Sequence, residues 1–187
     1  MKKSLVLASA SPRRRELLEQ MGLEFEIKVA EIDEQRLQNE KPADLVLRLA
    51  SEKALSVLKP NAIVIAADTV VAIDDEVLGK PKNASDARTM LKKLQGRRHF
   101  VYSGFCVHDG EKTISEVVAT EVVFRKVSDA EIDAYVASGE PMDKAGAYGI
   151  QGGAAKFISE IHGDYYNVVG LPICRLSTVL TEVFGWK

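Results

Sequence analysis

The stretch AIVIAADT, residues 62–69, decides the fold class of this chain of 187 residues. Its first six residues are apolar and rich in β-branched side chains, the pattern of a strand that is buried on both faces. Such strands lie in sheets that are covered by helices, so the stretch predicts an α/β architecture. The run stops at Asp68, and a carboxylate at the carboxyl end of a core strand lies where open α/β sheets bind ligands. The alternative, a turn-initiating aspartate, is disfavoured because apolar residues continue after Thr69.

Strand-like and helix-like segments alternate on both sides of this stretch, as in an α/β or α+β domain. Before it, we predict a strand at 4–8, a helix at 12–21 that Ser11 caps, a short strand at 25–29 and a long helix at 42–58. After it, we predict a hairpin of 69–73 with 76–78, a helix capped by Ser85, strands at 99–108 and 112–124, a helix capped by Ser128 and Glu131, and a closing helix at 172–184. No long polar linker divides the chain, so we predict one domain, residues 1–187, in two lobes.

The composition disfavours several classes of protein. The chain has 25 basic and 27 acidic residues and a net charge of −2, so no global basic field favours a nucleic-acid partner. No apolar run approaches the roughly 20 residues that a membrane-spanning helix needs, so we expect no membrane partner. Cys106 and Cys174 form no CxxC pair, which disfavours a disulfide framework or a thiolate zinc site and favours a reducing, cytoplasmic location.

A phosphate site is predicted where the first strand meets the first helix, in the segment ASASPRRR, residues 8–15. Ser11 is the expected N-cap, so the helix N-terminus offers backbone N–H groups and the positive end of its dipole to an anion. Arg13 and Arg14 add guanidinium groups that match phosphate oxygens, and Ser9 adds a second hydroxyl group. The alternative, a solvated basic turn, is disfavoured because the arginines cluster behind two hydroxyl groups.

A cation site is predicted from acidic residues on two segments. The cluster Glu31-Ile32-Asp33-Glu34 is a solvated acidic turn by itself, but together with Asp68 it becomes a candidate site for a hard divalent cation. Lys53 lies among apolar residues on the helical wheel of the predicted helix 42–58. If Lys53 points inward, its ammonium group would neutralise phosphate charge. The alternative is a lysine whose stem is covered while its charge reaches solvent.

Two glycine-containing turns complete the set of candidates. Gly79-Lys80-Pro81 follows the predicted hairpin and by itself is a turn with a surface lysine. Residues 146–153 form a glycine-rich loop within the segment DKAGAYGIQGG, residues 143–153, which lacks the spacing of a dinucleotide fingerprint. Its glycines would let the backbone approach a ligand, and the amide of Gln151 could read the edge of a base as donor and acceptor.

Taken in order, these segments resemble the Maf family of nucleoside triphosphate pyrophosphatases. The resemblance runs from Leu5 to about Pro172. It rests on SASPRR (9–14), DE (33–34), EKA (52–54), ADT (67–69), GKP (79–81), DKAGAYGIQG (143–152) and VGLP (169–172). It implies an α/β fold in which an elongated mixed β-sheet is flanked by helices in two lobes with a central cleft, related to the inosine triphosphate pyrophosphatase fold.

The resemblance also implies an activity. Members cleave a nucleoside triphosphate to the monophosphate and pyrophosphate, use a divalent cation (Mg²⁺ or Mn²⁺) and often form homodimers. The glycine-rich loop looks like that of the branch that prefers dTTP and UTP rather than 7-methyl-GTP. Such an activity implies a role in house-cleaning of nucleotides. The family links Arg13, Thr69 and Gln151 to substrate choice. The site predicted in this way has Asp68 as catalytic base, Glu34 and Asp68 as metal ligands, and Ser9, Ser11, Arg13, Arg14, Lys53, Thr69, Lys80, Lys144 and Gln151 as substrate-binding residues.

Two other functions remain open at this point. A non-catalytic nucleotide-binding regulator of cell division or septum formation would keep the arginines and the glycine-rich loop but would need no acidic pair. The presence of both Glu34 and Asp68 therefore favours an enzyme. A purine triphosphate pyrophosphatase of the inosine type would instead need a purine pocket, and an assay of separate triphosphates distinguishes all three functions.

Overall fold

The computed structural model describes residues 3–186, so Met1, Lys2 and Lys187 of the predicted domain 1–187 lie outside the described residues. The strands are β1 (Ser4–Leu7), β2 (Glu26–Ile27), β3 (Ala62–Ile73), β4 (Glu76–Leu78), β5 (Arg98–His108), β6 (Thr113–Phe124) and β7 (Ile158–His162). The α-helices are α1 (Pro12–Gln20), α2 (Pro42–Ser56), α3 (Ala84–Leu94), α4 (Asp129–Ala137), α5 (Tyr165–Val169) and α6 (Ile173–Glu182). Among the helices that residues 3–186 form, none combines the length and the apolarity that a bilayer span requires.

The strands form a seven-stranded mixed sheet in the order β2-β1-β3-β5-β6-β7, with β4 paired to β3. Strand β1 lies parallel to both β2 and β3, whereas β3 with β4 and β6 with β7 are antiparallel pairs. The predicted α/β fold with a mixed sheet is therefore confirmed. The predicted hairpin is confirmed too, since Ile73 pairs with Glu76 across a turn in which Asp74 and Asp75 have positive φ.

The chain divides into two compact units, each with its own hydrophobic core. Unit 1 comprises Met1–Asp68, Ser103–Val118 and Gly170–Lys187, and unit 2 comprises Thr69–Tyr102 and Ala119–Val169. One apolar cluster of unit 1 joins β1, α2 and β3 through small and β-branched side chains such as Val6, Ala50 and Val64. The core of unit 2 is rich in aromatic side chains, and includes Phe124, Tyr148 and Phe157.

The structure corrects the prediction that Asp68 follows the end of a strand. Strand β3 continues from Ala62 through Asp68 to Ile73, so the carboxylate lies within the strand. The strand tolerates it because the Asp68 carboxylate accepts a hydrogen bond from Lys53 at 2.8 Å, and a paired charge can be buried in a sheet. The helical-wheel prediction for Lys53 is confirmed, since this residue of α2 is buried.

Helix boundaries agree with the predictions where local capping determines them. Ser128 and Glu131 form the predicted capping box of α4. The predicted cap Ser85 is wrong, because α3 begins at Ala84 and the side chain of Asn83 accepts the hydrogen bond from Asp86 N. Strand β7 and helix α5 are absent from the predictions.

Strand β5 approaches α2 so closely at Gly104 that no side chain fits there. A Cβ at this position would overlap the carbonyl of Val46 and lie 2.8 Å from Leu47 N. Because these atoms belong to the backbone of α2, they cannot move away by a change of side-chain rotamer. We expect Gly104→Ala to lower the free energy of unfolding by about 2 kcal/mol, measured by urea denaturation.

Gly79→Ala is the matched control, since a Cβ at Gly79 meets no atom within 4 Å. We expect this variant to change the free energy of unfolding by less than about 0.5 kcal/mol. Equal effects of the two substitutions would contradict the close approach at Gly104.

Candidate active site

Polar contacts connect the residues at the start of α1, and the sequence indicated only some of these contacts. The hydroxyl of Ser9 accepts hydrogen bonds from Ser11 N at 3.2 Å and from Arg14 Nη1 at 3.3 Å. Arg14 Nε donates to the carbonyl of Gly170 at 2.9 Å. Ser11 is the N-cap residue as predicted, but its side chain makes no capping hydrogen bond. Arg13 lies half-buried in the first turn of the helix.

A cluster of one lysine and two carboxylates lies in the same unit. Lys53 Nζ on α2 is 2.8 Å from Asp68 Oδ1 on β3 and 2.8 Å from Glu34 Oε1. The side chains of Lys53 and Asp68 are only 9% and 12% exposed, whereas that of Glu34 is 59% exposed. The structure therefore brings together both predicted metal ligands and the predicted inward-facing lysine. We call these three residues the Lys53 cluster.

The negative charges of the Lys53 cluster act on Arg14 at the start of α1. Burial lowers the pKa of the Arg14 guanidinium, and the negative charges of Asp68 and Glu34 act in the opposite direction. A guanidinium group stays protonated in proteins, so Arg14 contributes a fixed positive charge close to the two acids. Groups of both signs therefore lie within electrostatic reach of one another in unit 1, as a site for a polyphosphate and a cation requires.

The two carboxylates suit a hard divalent cation. They converge on one positively charged atom, the Lys53 ammonium nitrogen, which shows that both can face a single cation. Mg²⁺ and similar ions take one or two carboxylates and complete their coordination with water and substrate phosphates. Within residues 3–186, no group of three or more His, Cys, Asp or Glu side chains forms a metal site made by protein ligands alone.

The remaining predicted site residues belong to unit 2. Thr69 follows Asp68 directly in β3 and is half-buried, and Gln151 is exposed. The turn that carries Lys80 is hydrogen-bonded to the glycine-rich loop, because Gly146 N donates to the carbonyl of Gly79 at 3.0 Å. This contact brings Lys80 next to the segment of Lys144 and Gln151.

Lys144 has a structural task that the sequence did not indicate. Its ammonium group donates to the carbonyl of Glu140 and to Asp143 Oδ1, each at 2.6 Å. The side chain is only 10% exposed, whereas that of Asp143 is 77% exposed. A role of Lys144 in binding substrate stays a prediction. Its two hydrogen bonds hold the chain just before the glycine-rich loop.

Sequence reasoning missed several contacts that shape these segments. Gly170 supplies the carbonyl that fixes Arg14, and Tyr135 and Glu140 contact the glycine-rich loop through hydrogen bonds. Local patterns could not reveal these partners, because Gly170 lies 156 residues from Arg14 and Glu140 lies 13 residues from Gly153.

Comparison with known proteins identifies the family and the fold that this chain resembles. A family model described as "Maf-like protein" matches residues 4–183. A protein of Anaeromyxobacter dehalogenans (strain 2CP-C) named dTTP/UTP pyrophosphatase is 52% identical over 180 residues, which cover 94% of this chain and 92% of that protein. Proteins with the same name from Symbiobacterium thermophilum and Bacillus cytotoxicus are 51% and 49% identical, covering 97% and 96% of this chain and 94% and 95% of those proteins.

A solved structure extends the comparison to the fold. The structure of a HAM1 protein from Coxiella burnetii matches with a TM-score of 0.52 and covers 97% of this chain and 100% of that chain. The two sequences are 18% identical, so the match concerns the fold alone.

Proposed function

The chain belongs to the Maf family, and we propose that it hydrolyses dTTP and UTP to the nucleoside monophosphate and pyrophosphate. The observation that carries this proposal is the Lys53 cluster, in which a buried lysine and two carboxylates meet near the arginine-bearing start of α1. Relatives at about half sequence identity over nearly the whole chain bear the name of this activity. In the cell, the reaction would remove these triphosphates from the nucleotide pool.

In the proposed reaction, water attacks the α-phosphorus of the bound triphosphate. Asp68, whose buried carboxylate is held by Lys53, accepts the proton of that water as a general base. We propose that Arg13, Arg14 and Lys80 stabilise the negative charge that grows on the pyrophosphate leaving group. Fixed cations of this kind usually provide most of the acceleration in phosphoryl transfer.

We propose that Glu34 and Asp68 hold a divalent cation, Mg²⁺ or Mn²⁺. When bound, such an ion would neutralise phosphate charge and lower the pKa of a coordinated water molecule. The convergence of both carboxylates on Lys53 Nζ supports this role of the two residues. Lys53 carries the positive charge of the cluster and pairs with both acids when no cation is bound.

Gln151 is the proposed reader of the base, because it is exposed in a turn of the glycine-rich loop and offers both a donor and an acceptor. Replacing it with leucine should lower the preference for dTTP and UTP over the other triphosphates by about 10–100-fold. The polar groups of the base would lose their hydrogen-bond partner, which costs more binding free energy than the loss of an apolar contact. Pyrophosphate release from each triphosphate, with Mg²⁺ present, measures the ranking. An unchanged ranking would contradict the assignment.

The same panel of triphosphates tests the proposed function on the unaltered protein. We expect turnover to be highest with dTTP and UTP. Binding without release of pyrophosphate would indicate the regulator of cell division, and a preference for inosine triphosphate would indicate the purine-type enzyme.

We also propose a homodimer and a cytoplasmic location. The dimer rests on the family resemblance, and sedimentation equilibrium tests it. The location is supported by two free cysteines, Cys106 buried and Cys174 exposed, because reducing compartments keep thiols unpaired.

A further inference from the structure

The glycine-rich loop (residues 146–153) contains four glycines, whose backbone cannot be fixed by side-chain packing of their own. Two of its backbone N–H groups are instead bound by side chains from outside the loop. Gly149 N donates to the hydroxyl of Tyr135 at 3.3 Å, and Gly153 N donates to Glu140 Oε2 at 2.9 Å. Gln151 lies midway between these two fixed points in the sequence. Its backbone is therefore held from both sides.

The two side chains that hold the loop also hold each other. The hydroxyl of Tyr135 donates to Glu140 Oε1 at 2.9 Å, so hydrogen bonds run continuously from Gly149 through Tyr135 and Glu140 to Gly153. We call Tyr135 and Glu140 the loop bracket.

The loop bracket itself rests on rigid structure. Tyr135 is 5% exposed on α4, and its ring packs edge-on against Phe157 with ring centroids 5.5 Å apart. Gly139, in the left-handed conformation at φ +75°, follows the helix and turns the chain so that Glu140 faces back toward the loop.

Gly152 shows how tightly the bracket and the loop fit. A Cβ at Gly152 would overlap Glu140 Oε1 and lie 2.6 Å from Glu140 Cδ. The φ of Gly152 is −112°, which alanine adopts readily, so the obstacle is the carboxylate and not backbone strain. Alanine at this position would push the Glu140 carboxylate off Gly153 N.

We propose that Tyr135 and Glu140 are positioning residues for base selectivity, which they set by fixing the backbone on both sides of Gln151. This inference rests on the proposed function, in which Gln151 reads the base. The loop bracket holds the loop that reads the base, whereas it does not hold the residues proposed to bind phosphate. It therefore affects the affinity for the preferred base. It leaves the chemical step at Asp68 unchanged.

Tyr135→Phe tests the proposal most simply, because it removes the hydroxyl and keeps the ring in the core. We expect the ratio of kcat/KM for dTTP to that for dCTP to fall about 10-fold, the effect of losing one or two net hydrogen bonds. The loss should come from a higher KM for dTTP, with kcat at saturation changed less than about twofold. A general loosening of the fold would lower turnover with all triphosphates together.

Thr120→Val is the matched control, because Thr120 lies outside the glycine-rich loop. It removes a buried hydroxyl from the same unit, and that hydroxyl accepts a hydrogen bond from Asp164 N at 3.1 Å. We expect both variants to lose thermal stability, but only Tyr135→Phe to lose base selectivity. Equal selectivity in the two variants would overturn the proposal.

A double-mutant cycle probes the contact between Gly152 and Glu140. Gly152→Ala should reduce selectivity about as much as Glu140→Ala, whereas Gly152→Ala in the Glu140→Ala background should add less than twofold. Glu140→Gln should restore most of the selectivity, since its amide can still accept from Gly153 N and donate to Tyr135. Full additivity of the two alanine substitutions would overturn the proposal. If the unaltered protein releases no pyrophosphate from dTTP or UTP, the proposed function fails instead.

Discussion

Asp68→Asn should lower the turnover of dTTP by about 10³-fold, within the range that general acid–base groups contribute. Asparagine has almost the same shape as aspartate and can still accept a hydrogen bond from Lys53, which lies 2.8 Å from Asp68 Oδ1. It cannot accept the proton of the attacking water. The variant should therefore keep its fold and lose its catalytic activity. Initial rates of pyrophosphate release, with circular dichroism to confirm folding, measure this effect.

Asp74→Asn is the control for that experiment. Asp74 lies in the turn after the same strand and pairs with Arg97 on the surface, at 2.7 Å. Asparagine tolerates the positive φ of 51° at this position. We expect this variant to keep full activity. Turnover by Asp68→Asn above a few per cent of the unaltered protein would refute the role of Asp68 as the base.

Lys53→Met should separate catalysis from cation binding. Methionine fills the buried site of the lysine stem, but the Lys53 cluster changes from one net negative charge to two. We expect kcat/KM for dTTP to fall about 10²-fold, because electrostatic stabilisation of the transition state is lost. In the absence of nucleotide, we expect Mn²⁺ to bind about fivefold more tightly, because an ammonium group no longer competes for both carboxylates. Electron paramagnetic resonance of free Mn²⁺ measures the affinity.

Lys59→Met serves as the control, since Lys59 pairs with Glu26 away from the Lys53 cluster. Neither activity nor Mn²⁺ affinity should change in this variant. If Lys53→Met lost activity and Mn²⁺ affinity together, the lysine would be a scaffold for the cation site and not a competitor of the cation.

The sequence predicted the elements whose signals are local. The capping box of α4 is read from Ser128 and Glu131, and the inward orientation of Lys53 follows from helical periodicity. Strand β7 escaped prediction because its sequence, ISEIH, mixes polar and apolar residues without a clear alternation, and because it lies at the edge of the sheet.

The parts of the site that depend on distant contacts could not be predicted in this way. The sequence predicts a strand end at Asp68 because a charged residue interrupts an apolar run. Its burial within the strand depends on Lys53, which comes 15 residues earlier on a different element. The contact of Lys53 with Glu34 and the loop bracket of Tyr135 and Glu140 likewise join residues from separate elements or loops. Motifs identified the residues of the cluster, whereas only the fold gave their geometry.

Hydrolysis of dTTP in water enriched in ¹⁸O, with mass spectrometry of both products, shows which phosphorus atom the water attacks. We predict that one ¹⁸O atom enters dTMP and none enters pyrophosphate, because the water activated by Asp68 attacks the α-phosphorus. Label in pyrophosphate, or release of inorganic phosphate in its place, would mean that water attacks another phosphorus atom and would contradict the account.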